Sequence, residues 1–190
     1  MATEITVFVV VRASVPAARL PSVASAFPSP FDAEEIMFED WWRIAGTSNF
    51  PEELEPTLAA MTRETGSPVM AAIIGDHEYA LVMGYSEQRG GFVTWLDTEA
   101  ARLDDHELED YEYEEGFKAS YQWAKAAGLT PNREALEAAL TRRSDNNADD
   151  LFRLYMAGLG VPGVPVGDLY GMLDTGGSHT GWSVSIGLGF

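Results

Sequence analysis

Ten carboxylates crowd into residues 97–115. Asp97, Glu99, Asp104, Asp105, Glu107, Glu109, Asp110, Glu112, Glu114 and Glu115 stand there against Arg102 alone, so one tenth of the chain holds nine of its 18 net negative charges. Charge gathered so tightly repels itself, and that destabilises a fold unless water or a cationic partner disperses it. On a helix, Glu107, Asp110 and Glu114 fall at i, i+3 and i+7, which puts the three on one side as a row that imitates phosphate charge. Tyr111 and Tyr113 are interleaved with the acids. A ring supplies contact area while carboxylates steer a basic surface into place. The plainer reading of the same residues is a solvated acidic face or loop. A second group, Asp32, Glu34, Glu35, Glu39 and Asp40, surrounds Phe38, Trp41 and Trp42 in the same style.

Other candidate chemistry is weaker. His77, His106 and His179 do not pair in sequence at metal-ligand spacing, although His77 sits between Asp76 and Glu78, and His106 beside Asp104, Asp105 and Glu107. Carboxylates favour the charged imidazole, which would make His106 a titrating group. Gly158, Gly160 and Gly163 satisfy G-x-G-x-x-G, but a helix-like run precedes them where a dinucleotide site needs a strand, so a helix C-cap and turn is expected. Asp145, Asn147 and Asp149 open like a calcium loop, yet Asp150 replaces the required glycine and Met156 the twelfth-position glutamate. Asp174, Ser178 and His179 have the residue types of a hydrolase triad without a nucleophile elbow. No P-loop occurs. These patterns assign no catalytic residue, no metal ligand and no cofactor.

The elements that must position the acids follow from periodicity. Residues 5–12 (ITVFVVVR) form a β-branched run too short for a helix and read as a buried strand. Prolines 16, 21, 28 and 30 leave room for only a short helix near residues 20–26. Residues 32–45 read as a helix with Asp32 as N-cap and Glu35 three residues on, a strand through residues 36–44 being the alternative. Residues 51–65 suit a helix stopped by Gly66, and residues 68–74, 79–85 and 92–96 are strand-like runs separated by turn chemistry, an antiparallel meander. Residues 113–127 read as a helix carrying Tyr113, Phe117, Tyr121 and Ala124 on one side. Thr130 and Pro131 look like the N-cap and first position of a helix over residues 133–143, and a further helix runs from Asn147 to Met156. Trp182, Val184, Ile186 and Leu188 alternate as a terminal strand expected in the same sheet as residues 5–12.

Composition narrows the class. The 190 residues are 46% hydrophobic with five Trp, seven Tyr and nine Phe, which suits a packed fold and not an acid-rich disordered chain. A net charge of −18 disfavours direct nucleic-acid binding, which requires Lys and Arg in excess. Without cysteine there is no disulfide framework, and no window reaches the roughly 18 apolar residues of a membrane helix. Glu4 ahead of the apolar run of residues 7–11, with no preceding Lys or Arg, is wrong for a secretory signal, so a cytoplasmic location is expected.

The expected fold class is α+β: one domain over residues 1–190, its mainly antiparallel sheet built from the meander 68–96 plus N- and C-terminal strands and packed against helices, with a Gly-rich segment 158–190 at its end. A short strand, a helix, the meander GSPVMAAIIGDHEYALVMGYSEQRGGFVTWLD and acidic helices together resemble small bacterial immunity proteins. That resemblance is one of overall style and carries over no individual residue. It implies a tight protein partner, commonly a basic toxin domain, and no chemistry of the chain's own. The expected function is therefore occlusion of a basic site on a protein partner by Asp104, Asp105, Glu107, Glu109, Asp110, Tyr111, Glu112, Tyr113, Glu114 and Glu115. A metal-dependent or acid/base enzyme built on Asp76, His77 and His106 is the alternative, followed by a structural or assembly subunit that uses the Gly-rich tail for packing.

Overall fold

A computed structural model describes residues 5–27, 33–46, 54–104, 108, 111–144 and 147–164. The β-branched run forms β1 (Ile5–Arg12), buried continuously from Val7 to Val11. A strand buried on both faces must be covered by layers on both sides, and it is. Chain order continues through a 3₁₀ turn at Ala17–Arg19, helix α1 (Pro21–Ala26), strands β2 (Ala33–Phe38) and β3 (Trp41–Gly46), helix α2 (Leu54–Thr65), the meander β4 (Val69–Gly75), β5 (Tyr79–Ser86) and β6 (Gly90–Leu96), and helices α3 (Thr98–Leu103), α4 (Tyr113–Ala126), α5 (Arg133–Thr141) and α6 (Ala148–Leu159).

The six strands pair antiparallel throughout, in the order β2-β3-β1-β4-β5-β6. The α+β class and the meander are thus as the sequence indicates. On one face, Phe8, Val10, Met70, Ala72 and Val82 pack beneath α4, α5 and α6; on the other, Val9, Val11, Val69 and Ala71 pack beneath α1 and α2. Trp123 of α4 is 2% exposed, and its indole N–H is shared between the carbonyls of Val69 and Tyr85, each at 3.2 Å, pinning the helix over the β4–β5 pair. Truncating so buried a Trp costs about 3–5 kcal/mol.

The helix expected over residues 32–45 is a hairpin instead. Trp41 enters the core under α4–α6, while Trp42 points to the other face, where its indole N–H donates to the Ala13 carbonyl at 3.0 Å. Adjacent residues on opposite faces are what a pleat demands, and a helix would place them only 100° apart. Glu39, at φ 51°, turns the chain, and Arg12 holds that turn through Asp40 at 2.7 Å. The alternative strand reading is therefore the nearer one, interrupted by the turn at Glu39–Asp40. At α5, the cap is Asn132, whose side chain accepts from Ala135 N at 3.1 Å, and not Thr130 with Pro131. The glycine motif ends α6: Gly160 caps it at φ 81°, as expected. The expected terminal strand through Leu188 lies outside the described residues, and both neighbours of β1 are already β3 and β4.

Candidate partner-binding site

The acidic segment begins at the end of β6. Asp97 is 6% exposed with a left-handed backbone (φ 54°), and its two carboxylate oxygens accept from Ala100 N at 3.0 Å and Ser144 N at 2.6 Å. The first of these caps α3, and the second ties α3 to the α5–α6 connection. Asp97 is consequently an internal support and not part of an acidic surface. Glu99 is exposed but pairs with Arg143.

Asp104 follows α3 and is exposed, accepting from the Tyr79 hydroxyl at 2.6 Å. Burial pushes the Tyr79 phenol well above its usual range, and the hydrogen bond and charge of Asp104 push it further. Leu108 is buried against Tyr79 and Ala101. Tyr111 joins the same cluster and shares a 2.8 Å hydrogen bond with Thr94 Oγ1. In β5 and β6 the face of Tyr79 is that of Trp95, whereas Thr94 lies on the α4 face, by the register Ala80 to Leu96 and Leu81 to Trp95. Within the α3–α4 connection, Leu108 thus packs on the Tyr79 face of the sheet, while the Tyr111 hydroxyl reaches Thr94 on the α4 face. Tyr111 is turned inward as its anchor, and Gly116 makes room, since a Cβ there would stand 2.5 Å from Thr94 Oγ1 and 2.8 Å from the Tyr111 hydroxyl.

Glu112 has an extended backbone (φ −106°, ψ 120°), so no helix runs through it and α4 starts only at Tyr113. Helix α4 therefore carries Glu114 but does not extend back to Glu107 and Asp110. Asp105, His106, Glu107, Glu109 and Asp110 lie outside the described residues. Glu112, Glu114 and Glu115 are exposed and make no ion pair with another described residue, while Glu114 and Glu115 occupy the first turn of α4, where the helix dipole favours them.

Tyr113 is half-buried and opens an aromatic row along α4: its ring centroid is 6.3 Å from that of Phe117, which is 6.1 Å from that of Tyr121. The guanidinium of Arg133 lies over the Phe117 ring at 5.3 Å and donates to Glu137 at 2.8 Å; Lys125 lies over Tyr121 at 5.8 Å. The Tyr113 phenol is raised by burial first, then by the charges of Glu137 and Glu114, with Arg133 opposing. The spacing i, i+4, i+8 marks this row in the sequence, where it reads as core-facing surface. The cations above it come from α5 and from one turn further along α4, and periodicity does not announce them.

The His77 environment is a latch. Asp76 and His77 turn the β4–β5 hairpin at φ 44° and 62°; His77 Nδ1 meets Asp149 Oδ2 at 2.8 Å, and the His77 carbonyl accepts from Ala148 N at 2.8 Å. Asp149 and Asp150 open α6, and Asp150 pairs with Arg153 at 3.0 Å, which accounts for the residues of the calcium-like spacing that are described. Among the described residues no group of three or more His, Cys, Asp or Glu could hold a metal ion, and no helix is long and apolar enough to cross a membrane. Asp174, Ser178 and His179 lie outside the described residues. Compared with family models, curated proteins and solved structures, the chain matches none.

Proposed function

We propose that this chain is an acidic binding protein that covers a basic site on a protein partner, with the surface around the start of α4 as its contact. The observation that carries the reading is the trio Glu112, Glu114 and Glu115: exposed, without ion pairs to other described residues, and next to a half-buried aromatic row. Carboxylates of this kind steer association and set its salt dependence, and rings beside them supply contact area. In the sequence, Asp104, Asp105, Glu107, Glu109 and Asp110 stand just ahead of the trio and add to its negative charge. Tyr113 takes the ring role, and Tyr111 holds the connection in place. The stylistic resemblance to immunity proteins makes a basic toxin domain the partner class, and occlusion the mechanism.

Paired capture tests this. The unaltered chain and a Glu112→Gln/Glu114→Gln/Glu115→Gln variant serve as baits for proteins of the native host at low and high salt. A basic protein retained in equimolar amount at low salt, and released by either the substitutions or salt, is expected. Retention of the same protein by both baits, or of no basic protein, overturns the proposal.

A further inference from the structure

We infer that the outer edge of β6 between Gly90 and Val93 takes up an extended, basic segment of that partner as an added strand; the inference rests on the partner-binding reading and names its mode of contact. β6 ends the sheet, and among the described residues β5 is its only strand neighbour. An edge strand leaves a row of backbone N–H and C=O groups unpaired, and proteins usually block that row with a charge, a proline or a bulge. At the other edge, β2 slips register against β3 between Ile36 and Phe38. β6 (GGFVTWL) has none of these devices: it pairs with β5 over seven consecutive positions without a shift and carries no charged residue and no proline. Gly91 is exposed, and because glycine has no side chain, what it exposes is backbone. Val93, on the same face two residues on, is 47% exposed. Thr94 and Leu96 are wholly buried, so the open stretch ends at Val93.

The flanks choose the occupant. Glu55 of α2 stands on one side, where a Cβ added at Gly91 would lie 2.7 Å from its Oε1. Helix α4 stands on the other, with Gly116 against Thr94 and Gln122 accepting at 2.8 Å from Arg89 of the β5–β6 turn. Glu115 precedes Gln122 by seven residues and lies within about 20° of it around the helix, which puts Glu115 on the β6 side of α4. Both glutamates are exposed, and neither pairs with a cation of a described residue. A strand laid along this edge points its side chains alternately to the two flanks, so basic residues at successive positions meet Glu115 and Glu55 in turn. Main-chain hydrogen bonds supply the affinity, and the flanking carboxylates select for positive charge.

The full chain is titrated at low salt with acetylated hexa-arginine amide and with the same peptide N-methylated at every residue, which keeps the charge and removes the N–H donors. The methylated peptide is expected to bind at least about ten-fold more weakly, because several main-chain hydrogen bonds are lost together. The unmethylated peptide should slow amide hydrogen exchange within residues 90–93, a readout that needs no variant to fold. Equal affinity of the two peptides, or unchanged exchange at residues 90–93 under saturation, overturns the inference. The Glu112→Gln/Glu114→Gln/Glu115→Gln variant separates it from the reading beneath. If methylation makes no difference but the variant loses both peptides, the acidic reading stands and the edge does not; if the variant binds the unmethylated peptide as tightly as the parent does, the acidic reading falls and this inference with it.

Discussion

The backbone N–H of Ser144 donates to Asp97 Oδ2 at 2.6 Å, joining residues 47 positions apart through a carboxylate whose other oxygen caps α3. Ser144 also donates its hydroxyl to the Glu78 carbonyl, so the β4–β5 turn, the start of α3 and the α5–α6 connection meet at one pair of residues. Asp97→Ala removes a cap and orphans a buried N–H. The two losses amount to about 2–4 kcal/mol. Urea denaturation should show a lower midpoint at unchanged slope.

Gly158 separates two causes of glycine requirement. A Cβ there would lie 2.6 Å from the Leu136 nitrogen and 2.7 Å from its Cα, so alanine must force α5 and α6 apart. Gly158→Ala is expected to destabilise by about 1–3 kcal/mol through overpacking. Gly128 has φ 75° and open space around it, so Gly128→Ala costs only the left-handed backbone penalty of about 1–2 kcal/mol. Thermal melts of the two distinguish the causes, because Gly128→Asn, which tolerates that conformation, should recover stability and Gly158→Asn should not.

Tyr155 of α6 is wholly buried, and its hydroxyl donates to Ser120 Oγ at 2.7 Å. Burial pushes its phenol well above the usual range. Its folded value therefore exceeds its unfolded value, and the stability it contributes is intact below about pH 10 and is lost as pH rises beyond, where only the unfolded chain releases the proton. Each pH unit in that window removes about 1.4 kcal/mol from this group alone. Tyr155→Phe should be about 1 kcal/mol less stable at pH 7 through the lost hydrogen bond, yet fall less steeply between pH 10 and 11 in chemical denaturation.

Neutralising the exposed trio should leave stability almost untouched. Glu114→Gln and Glu115→Gln each forfeit about 0.3–1 kcal/mol of helix-dipole stabilisation, and relief of mutual repulsion offsets part of it. The triple variant is expected to unfold within about 1 kcal/mol of the parent while binding falls. A larger drop would show these glutamates to be structural supports of α4.

Much of this architecture is legible in the sequence because apolar period decides it: residues 5–12 can only be a buried strand, and the meander is punctuated by turn residues. At residues 32–45 local capping chemistry suits a helix start while the Trp41–Trp42 pair obeys the pleat, so the sequence leaves both readings open; strand pairing with β1 decides such cases, and it is not local. For the site, clustered charge was visible, but the inward anchoring of Tyr111 depends on Thr94, 17 residues away, and the cation over Phe117 comes from another helix. Contacts between distant positions leave no periodic trace.

The place of β1 sets a timetable for synthesis. β1 is made before both of its hydrogen-bonding neighbours, which end at Gly46 and Gly75, so the innermost ladder stays open until synthesis has passed Gly75. Until then, the most apolar stretch of the nascent polypeptide has bare backbone on both sides, the condition that invites mispairing and chaperone capture.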